Sequence, residues 1–141
     1  MQIRNADAAD LVEIQTLLRA NGLPVDDVTG WLIEGFLVAE DTDGSIVGSA
    51  GLEPLGSGVL LRSLAVTSEI RGTGVAREMV ARLEDNARSL GRLEVWLLTT
   101  TAERFFEVAG YELINRGEVP SDVRLCRQFA VLCSSTAACM R

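Results

Sequence analysis

The feature that most constrains the fold of this chain is a long apolar segment that leads through two glycines into a helix. Residues 59–67 read Val-Leu-Leu-Arg-Ser-Leu-Ala-Val-Thr, which predicts a buried strand. The turn Ser-Glu-Ile-Arg-Gly-Thr-Gly-Val-Ala follows at 68–76, and a helical pattern continues to about Ser89. A strand that enters a helix in this way indicates a fold in which helices pack on a sheet.

The remaining pattern alternates between strands and helices. Asp7 caps a helix that ends near Asn21, and a second helical stretch is predicted over 26–34. The Asp43-Gly44 pair predicts a hairpin turn. Further strands are predicted over 2–5, 36–40, 45–52, 93–98, 111–114 and 125–132, and a further helix over 102–109. Hairpins interrupted by helices indicate an α/β chain with a mixed sheet covered on both faces, folded as a single domain over 1–141.

The composition excludes several classes of function. The 141 residues suffice for one hydrophobic core, and the formal net charge of −7 disfavours nucleic acid and anionic membrane as partners. No apolar run approaches the ~20 residues that span a membrane, and no signal peptide is visible, so we expect a cytoplasmic protein. The absence of histidine excludes Ser-His-Asp and Cys-His catalysis and His-ligated zinc.

The glycine-containing turn has the chemistry of an anion site. Glycine lacks Cβ, so Gly72 and Gly74 let the backbone turn tightly and approach a ligand. The N–H groups of the first helical turn have no internal partner and lie at the positive end of the helix dipole, and Arg71 adds a charged side chain. These features suit a pyrophosphate. The alternative, of equal weight on spacing alone, is a plain strand-to-helix turn, and the lack of a following lysine excludes a P-loop.

Two blocks of the sequence resemble the GNAT superfamily of N-acetyltransferases. The first, Leu-Ala-Val-x-x-x-x-Arg-Gly-Thr-Gly-Val-Ala at 64–76, is similar to the acetyl-CoA loop, whose signature Gln/Arg-x-x-Gly-x-Gly/Ala is matched by Arg71, Gly74 and Ala76. The second, at 102–111, resembles the late helix that usually ends Phe-Tyr-x-x-x-Gly-Phe. The resemblance covers nearly the whole chain. It implies the GNAT fold, an α+β domain with a mixed, mostly antiparallel sheet of about seven strands and helices on both faces.

A narrower resemblance involves the C-terminal part of the chain. Thr-Thr-Thr-Ala-x-x-Phe-Phe-x-x-x-Gly-Tyr at 99–111, Gln-Phe at 128–129 and the closing segment 132–140 look like N-acetyltransferases of arsenic-resistance operons. This similarity indicates a context of arsenic or xenobiotic resistance, in which an arsenic-containing or other toxic amino compound is the acetyl acceptor.

The superfamily resemblance assigns acetyl-CoA binding to specific positions. It implies that main-chain groups before the loop contact the pantetheine arm and that the loop amides hold the pyrophosphate. The predicted contacts are Leu64, Ala65, Val66, Arg71, Gly72, Thr73, Gly74, Val75, Ala76, Thr101 and Phe106. Phe106 stands where many relatives have a tyrosine that protonates the leaving thiolate, so the usual general acid is absent. No metal is expected.

Three further residues, Glu53, Arg62 and Thr100, are the predicted catalytic groups. An attacking amine must lose a proton, and the position of the usual glutamate is Leu60 here, so Glu53 is the leading carboxylate. Arg62 lies in an apolar strand, where burial without a partner is costly; it either holds a substrate carboxylate or is paired on an exposed face of the sheet. The alternative for Glu53 is a plain surface glutamate without a catalytic role. The alternative for Thr100 is a threonine that forms the strand or caps the following helix.

The sequence therefore predicts direct acetyl transfer to a small-molecule amine, with a homodimer as the candidate assembly. The alternative is an acyl-CoA-binding or metalloid-sensing module without catalysis. Its thiols would be Cys126, Cys133 and Cys139, for which packing as small hydrophobes is the favoured interpretation. The aromatic side chains of Trp31, Phe36 and Phe105 are predicted to belong to the core rather than to a substrate box.

Overall fold

The computed structural model describes residues 1–23, 25–55, 58–92, 94–99, 102–113 and 138–140. Six strands and three helices alternate along this part of the chain. The strands are β1 (Gln2–Asn5), β2 (Phe36–Glu40), β3 (Ile46–Leu55), β4 (Gly58–Val66), β5 (Val95–Thr99) and β6 (Ala138–Met140). The helices are α1 (Leu11–Ala20), α2 (Val75–Ser89) and α3 (Glu103–Val108).

The strands form one sheet in the order β1-β2-β3-β4-β5-β6. Every neighbouring pair is antiparallel except β4 and β5, which are parallel and joined through α2. The predicted mixed, mostly antiparallel sheet is confirmed, with six strands in the described residues rather than about seven. The sequence missed β6. The strand predicted over 125–132 lies outside the described residues, and residues 111–113 hold only an isolated bridge at Leu113.

Apolar side chains from alternate positions of the strands build two cores on opposite faces of the sheet. In β2, Leu37 and Ala39 pack in the core on the α2 side, whereas Phe36 and Val38 pack in the core on the α1 side. The buried residues of α1 are Ile14, Leu17 and Leu18, and those of α2 are Met79, Val80, Leu83 and Ala87. Helices therefore cover both faces, and Phe36 is a core residue as predicted.

The segment between α1 and β2 departs from the predicted helix over 26–34. Its described residues form turns, with a single 3-10 turn at Leu32–Gly35. Side-chain hydrogen bonds compete with a regular helix here: Gln15 of α1 donates to the carbonyl of Val28 (2.9 Å), and the Thr29 hydroxyl accepts from the amide of Leu32 (3.4 Å). Trp31 is 75% exposed, so its prediction as a core residue is wrong.

A bulge and a separation of strands shape the middle of the sheet. Ser49 pairs with Ala65 and Gly51 with Arg62, so one residue of β3 faces two of β4, and Ser63 takes a φ of +58°. On its other side β4 pairs with β5 only at Val59–Val95 and Leu60–Trp96. The described residues of β4 beyond Leu60 have no partner in β5, and this gap leaves the backbone of its second half available to a ligand.

Candidate active site

A cleft opens beside the second half of β4, beyond the residues that pair with β5. It has a volume of about 880 Å³. Its wall combines the end of α1, the end of β4, the glycine-containing turn, the start of α2 and the start of α3. The lining residues are Ala20, Asn21, Leu64, Ala65, Val66, Ile70, Arg71, Gly72, Gly74, Val75, Ala76, Arg77, Ala102 and Phe105.

One end of the cleft is an anion site formed by the backbone. Gly72 and Gly74 have φ values of +83° and +87°, a region that favours glycine, and Gly74 is the residue before α2. A Cβ atom at either glycine would meet no atom within 4 Å, so the backbone there borders open space. The first bond of the helix runs from the Glu78 amide to the Gly74 carbonyl, whereas the amides of Arg71 and Thr73 donate to carbonyls of the preceding turn. Among the described residues, the amides from Gly74 to Ala76 have no main-chain acceptor and are available to a ligand.

The side chain of Arg71 is held beside this site by the end of α1. Its Nη2 donates to Oδ1 of Asn21 (3.0 Å), and Nδ2 of Asn21 donates to the carbonyl of Leu17 (2.9 Å). Asn21 thus fixes the guanidinium at the rim of the cleft. Sequence reasoning placed Asn21 only at a helix end, because its contact with Arg71 spans 50 residues.

Most of the predicted cofactor contacts lie in the cleft. Thr73 is an exception, since its hydroxyl donates to the carbonyl of Ile70 (2.6 Å) and the residue is not part of the wall. Phe106 is only 4% exposed and packs edge-to-face against Phe105 and Tyr111. Its neighbour Phe105 lies on the wall of the cleft because it is on another side of α3, and the cofactor contact expected at Phe106 stays a prediction. Predicted residues Thr100 and Thr101 lie outside the described part of the chain.

The hydroxyl of Tyr111, the single tyrosine of the chain, is engaged elsewhere. It donates to Oε2 of Glu84 (3.0 Å) beside a second cavity of about 560 Å³ at the other end of α2. Burial, together with the neighbouring glutamate charge, raises the pKa of Tyr111 well above its usual value. This phenol does not stand in for the tyrosine that is missing at position 106.

Arg62 is buried and binds two carboxylates. Its side chain is 1% exposed, and its guanidinium donates to Asp27 through two bonds (2.5 and 2.6 Å) and to Oε1 of Glu53 (2.9 Å). Its Nε donates to the hydroxyl of Ser63 (3.1 Å). Burial acts to lower the pKa of Arg62, but the hydrogen bonds and charges of Asp27 and Glu53 outweigh it and raise this pKa. We call Asp27, Glu53 and Arg62 the carboxylate cluster.

This geometry corrects two expectations from the sequence. Arg62 is neither exposed on the sheet nor free to take a substrate carboxylate, because Asp27 occupies the planar edge of its guanidinium. Glu53 is half-buried and paired rather than a plain surface glutamate. Asp27 was missed because it lies 35 residues from its partner, in a segment predicted to be helical. Within the described ranges, no three potential metal ligands group together, and no helix is long and apolar enough to cross a membrane.

Comparisons with known proteins agree with this architecture. The family described as acetyltransferase (GNAT) domain matches residues 33–113. The amino-acid acetyltransferase of Pseudomonas paraeruginosa is 32% identical in an alignment of 128 residues, and the match covers 85% of this chain and 29% of that protein. A second amino-acid acetyltransferase, from Pseudomonas syringae pv. syringae, is 32% identical over 120 residues and is covered to 28%. The chain thus spans less than a third of the length of these curated relatives.

Solved structures share the fold over nearly the whole chain. Rv2747 from Mycobacterium tuberculosis, in complex with CoA and NLQ, superposes with a TM-score of 0.84 at 25% identity, covering 99% of this chain and 97% of that one. N-acetylglutamate synthase from Neisseria gonorrhoeae, complexed with coenzyme A and N-acetyl-glutamate, gives 0.84 at 22% identity over 99% of this chain and 34% of that one. The family match, covering more than half of the sequence, shows that this chain belongs to the GNAT acetyltransferase family.

Proposed function

We propose that this protein transfers the acetyl group of acetyl-CoA to the amine of a small molecule. The observation that carries the proposal is the cleft beside the second half of β4, with an anion site of main-chain amides at one end. A pyrophosphate fits the amides from Gly74 to Ala76, and an extended arm fits the edge of Leu64 to Val66 that faces away from β3 and has no partner in β5. The CoA complexes of the similar structures support this assignment of the donor.

The chemistry is a direct transfer with no covalent enzyme intermediate. The amine, once deprotonated, attacks the thioester carbonyl; a C–N bond forms, the C–S bond breaks, and the thiolate takes a proton as CoA leaves. Main-chain amides along the open edge of β4 are suited to stabilise the oxyanion. Holding both reactants in one cleft supplies a large part of the acceleration. Among the predicted catalytic groups, Glu53 and Arg62 are described by the structure, and Thr100 stays a prediction.

The acceptor that we propose is a small amino compound, with α-amino acids as the first class to test. Two relatives at 32% identity are amino-acid acetyltransferases, and the net charge of −7 favours a cationic or zwitterionic molecule over an anionic polymer. The resemblance to enzymes of arsenic-resistance operons adds arsenic-containing and other toxic amino acids to the panel. The cytoplasmic location and the homodimer expected from the sequence stay predictions, and light scattering measures the second.

A second candidate function is an acyl-CoA-binding module that does not catalyse. The observation that favours it is the apolar character of two positions, Phe106 and Leu60, where relatives carry a general acid and a general base; both side chains are buried here. The metalloid-sensing variant would use Cys126, Cys133 and Cys139, of which the first two lie outside the described residues and the third is on β6.

The experiment that separates these functions is a turnover screen. The purified protein is incubated with acetyl-CoA and a panel of amines that includes L-glutamate, L-glutamine and ethanolamine, and released CoA thiol is measured. We expect acceptor-dependent thiol release with the acetylated amine detected by mass spectrometry. Saturable acetyl-CoA binding without release for any amine in the panel would favour the binding module.

A further inference from the structure

The carboxylate cluster lies on the same face of β4 as Ala65, a residue that lines the cleft. Val59 and Leu61 pack on the α2 side of the sheet, so Arg62 points to the α1 side, and after the bulge Ala65 returns to that same side. Ala65 lines the cleft. The cluster therefore follows the cleft along one face of β4, about three residues or roughly 10 Å away.

The direction of β4 relates the cluster to the proposed reaction. The anion site follows the C-terminal end of β4, so a donor anchored there and extended along Val66 to Leu64 runs back toward the start of the strand. Its reactive end then lies on the side of the cleft where Arg62 is found. The segment between α1 and β2, which carries Asp27, is the other element at this position.

The two carboxylates of the cluster are nearer to solvent than its guanidinium. The Arg62 side chain is 1% exposed, whereas those of Asp27 and Glu53 are 15% and 20% exposed, so the carboxylates separate the guanidinium from solvent. One cation and two carboxylates give a formal charge of −1. No described residue donates to Oε2 of Glu53. The accessible part of the cluster thus presents an acceptor atom with a negative charge, which suits an ammonium group.

We propose that the carboxylate cluster is the acceptor-amine subsite, in which Glu53 receives the proton of the acceptor ammonium, Asp27 adds a second carboxylate, and Arg62 is a positioning residue. The inference rests on the proposed function and extends it to a named subsite. It assigns Asp27, whose sequence context gave no sign of a role. It also changes the role of Arg62, which no longer contacts the substrate but positions Asp27 and Glu53, the two residues that do.

The proton balance of the step is closed. The acceptor enters as an ammonium ion and transfers one proton to the carboxylate of Glu53. The neutral amine then forms the C–N bond with the acetyl carbon as the C–S bond breaks. The second proton of the nitrogen passes to the leaving thiolate, and Glu53 returns its proton to solvent. The products are an amide, CoA thiol and one proton, so no further reactant is required.

A competing arrangement would place a carboxylate of the acceptor, rather than its ammonium, on the cluster. It requires displacement of Asp27, because the charged donors of Arg62 are already engaged by Asp27 and Glu53. The two arrangements differ in one measurable respect. If the cluster binds the ammonium group, Asp27→Asn weakens the subsite and raises KM for every amine. If the cluster binds the carboxylate of the acceptor, Asp27→Asn weakens the side chain that competes for Arg62 and lowers KM for amino acids alone.

The test uses variants of Glu53 in the full-length protein. Glu53→Gln retains the oxygen that accepts from Arg62 and loses the proton acceptor. We expect kcat/KM for the best amine to fall about 100-fold, with the acetyl-CoA dissociation constant unchanged in calorimetry. Glu53→Ala should recover part of its activity when formate is added, a result that a merely structural role would not give. Arg62→Lys should raise KM for the amine without changing acetyl-CoA binding.

Glu40→Gln is the matched control, because Glu40 is also half-buried and bound to an arginine (Arg4, 2.7 Å) but lies on β2, where it pairs with Ile46 at the other end of β3 from Glu53. Its kcat/KM should equal that of the parent. Unchanged turnover in Glu53→Gln, or a lowered KM for amino acids in Asp27→Asn, would overturn the subsite while leaving the acetyltransferase proposal intact. Absence of turnover in the parent protein would instead reject the proposed function, and with it this inference.

Discussion

Replacing Arg62 by methionine removes the buried cation that neutralises two half-buried carboxylates, and the structure contains a matched comparison. Arg4 also bridges two carboxylates, with bonds to Asp10 (2.8 and 3.0 Å) and Glu40 (2.7 Å). The two sites have the same number of carboxylate hydrogen bonds. They differ in exposure, since the Arg62 side chain is 1% exposed and that of Arg4 is 28% exposed. The carboxylates that lose their cation are similarly exposed, at 15% and 20% for Asp27 and Glu53 and 9% and 29% for Asp10 and Glu40, so the two variants compare the loss of a buried with that of a part-exposed arginine.

The expected losses of stability follow from that difference. Removing one partner of a buried ion pair leaves charge without compensation and costs about 3–5 kcal/mol. An exposed or half-exposed pair is screened by solvent and contributes about 0.2–1 kcal/mol, so loss of both Arg4 pairs should cost roughly 1–2 kcal/mol. With a shift of about 2–4 °C per kcal/mol for a chain near this size, Arg62→Met should lower Tm by roughly 10 °C and Arg4→Met by about 4 °C.

The assay is urea denaturation at neutral pH, followed by far-UV circular dichroism, with thermal unfolding as a second measurement. A free energy of unfolding lowered by the same amount in both variants would refute the reasoning that burial decides the cost. A stabilised Arg62→Met protein would show that the methionine packs well and that the carboxylates find other partners.

Three other changes give independent tests. Asn21→Ala should weaken acetyl-CoA binding about 5-fold, because Arg71 loses the hydrogen-bond acceptor that holds its side chain, a contribution of about 1 kcal/mol. An unchanged dissociation constant in calorimetry would show that Asn21 does not support the site. Gly58→Ala places a methyl group on the indole ring beneath it and should cost about 1–3 kcal/mol in urea unfolding, whereas a neutral result would contradict the tight contact of β4 and β5. Hydrogen bonds from Arg4 hold the pKa of Asp10 below its usual 3.8, so the stability that Asp10 contributes is present above that pH and is lost as the pH falls through the lowered value. The free energy of unfolding of Asp10→Asn should therefore lie below that of the parent at pH 7 and converge with it in acid. A difference that stays constant with pH would contradict the linkage.

The central part of the fold follows from local patterns in the sequence. The apolar run that forms β4, the glycine pair before α2 and the 3.6-residue periodicity of α2 all involve neighbours in the chain, so their structure was predicted correctly. The anion site follows for the same reason, since the positive φ of Gly74 and the free amides of α2 are local properties. The predicted cofactor residues of β4 and of the loop, with the exception of Thr73, accordingly lie in one cleft.

The errors share a different cause, which is contact between distant parts of the chain. The apolar spacing of Val28, Trp31 and Leu32 suggested a helix, but side chains of α1 hold this segment in turns and expose the indole. Arg62 was recognised as unusual in an apolar strand, yet its pairing with Asp27 depends on that same segment. The sequence likewise could not show which of Phe105 and Phe106 lines the cleft, because that depends on how α3 packs on the sheet.

The most direct test of the central claim is calorimetric titration of acetyl-CoA into the parent protein, Gly74→Glu and the control Gly91→Glu. Both glycines have positive φ and open space around them, but Gly74 precedes α2 whereas Gly91 lies beyond its other end. Any backbone strain from glutamate is therefore matched, and only the first variant brings a negative charge to the anion site. The account predicts binding to the parent and to Gly91→Glu, with none to Gly74→Glu. Equal binding by all three proteins, or no binding by the parent, would contradict the assignment of the cofactor site.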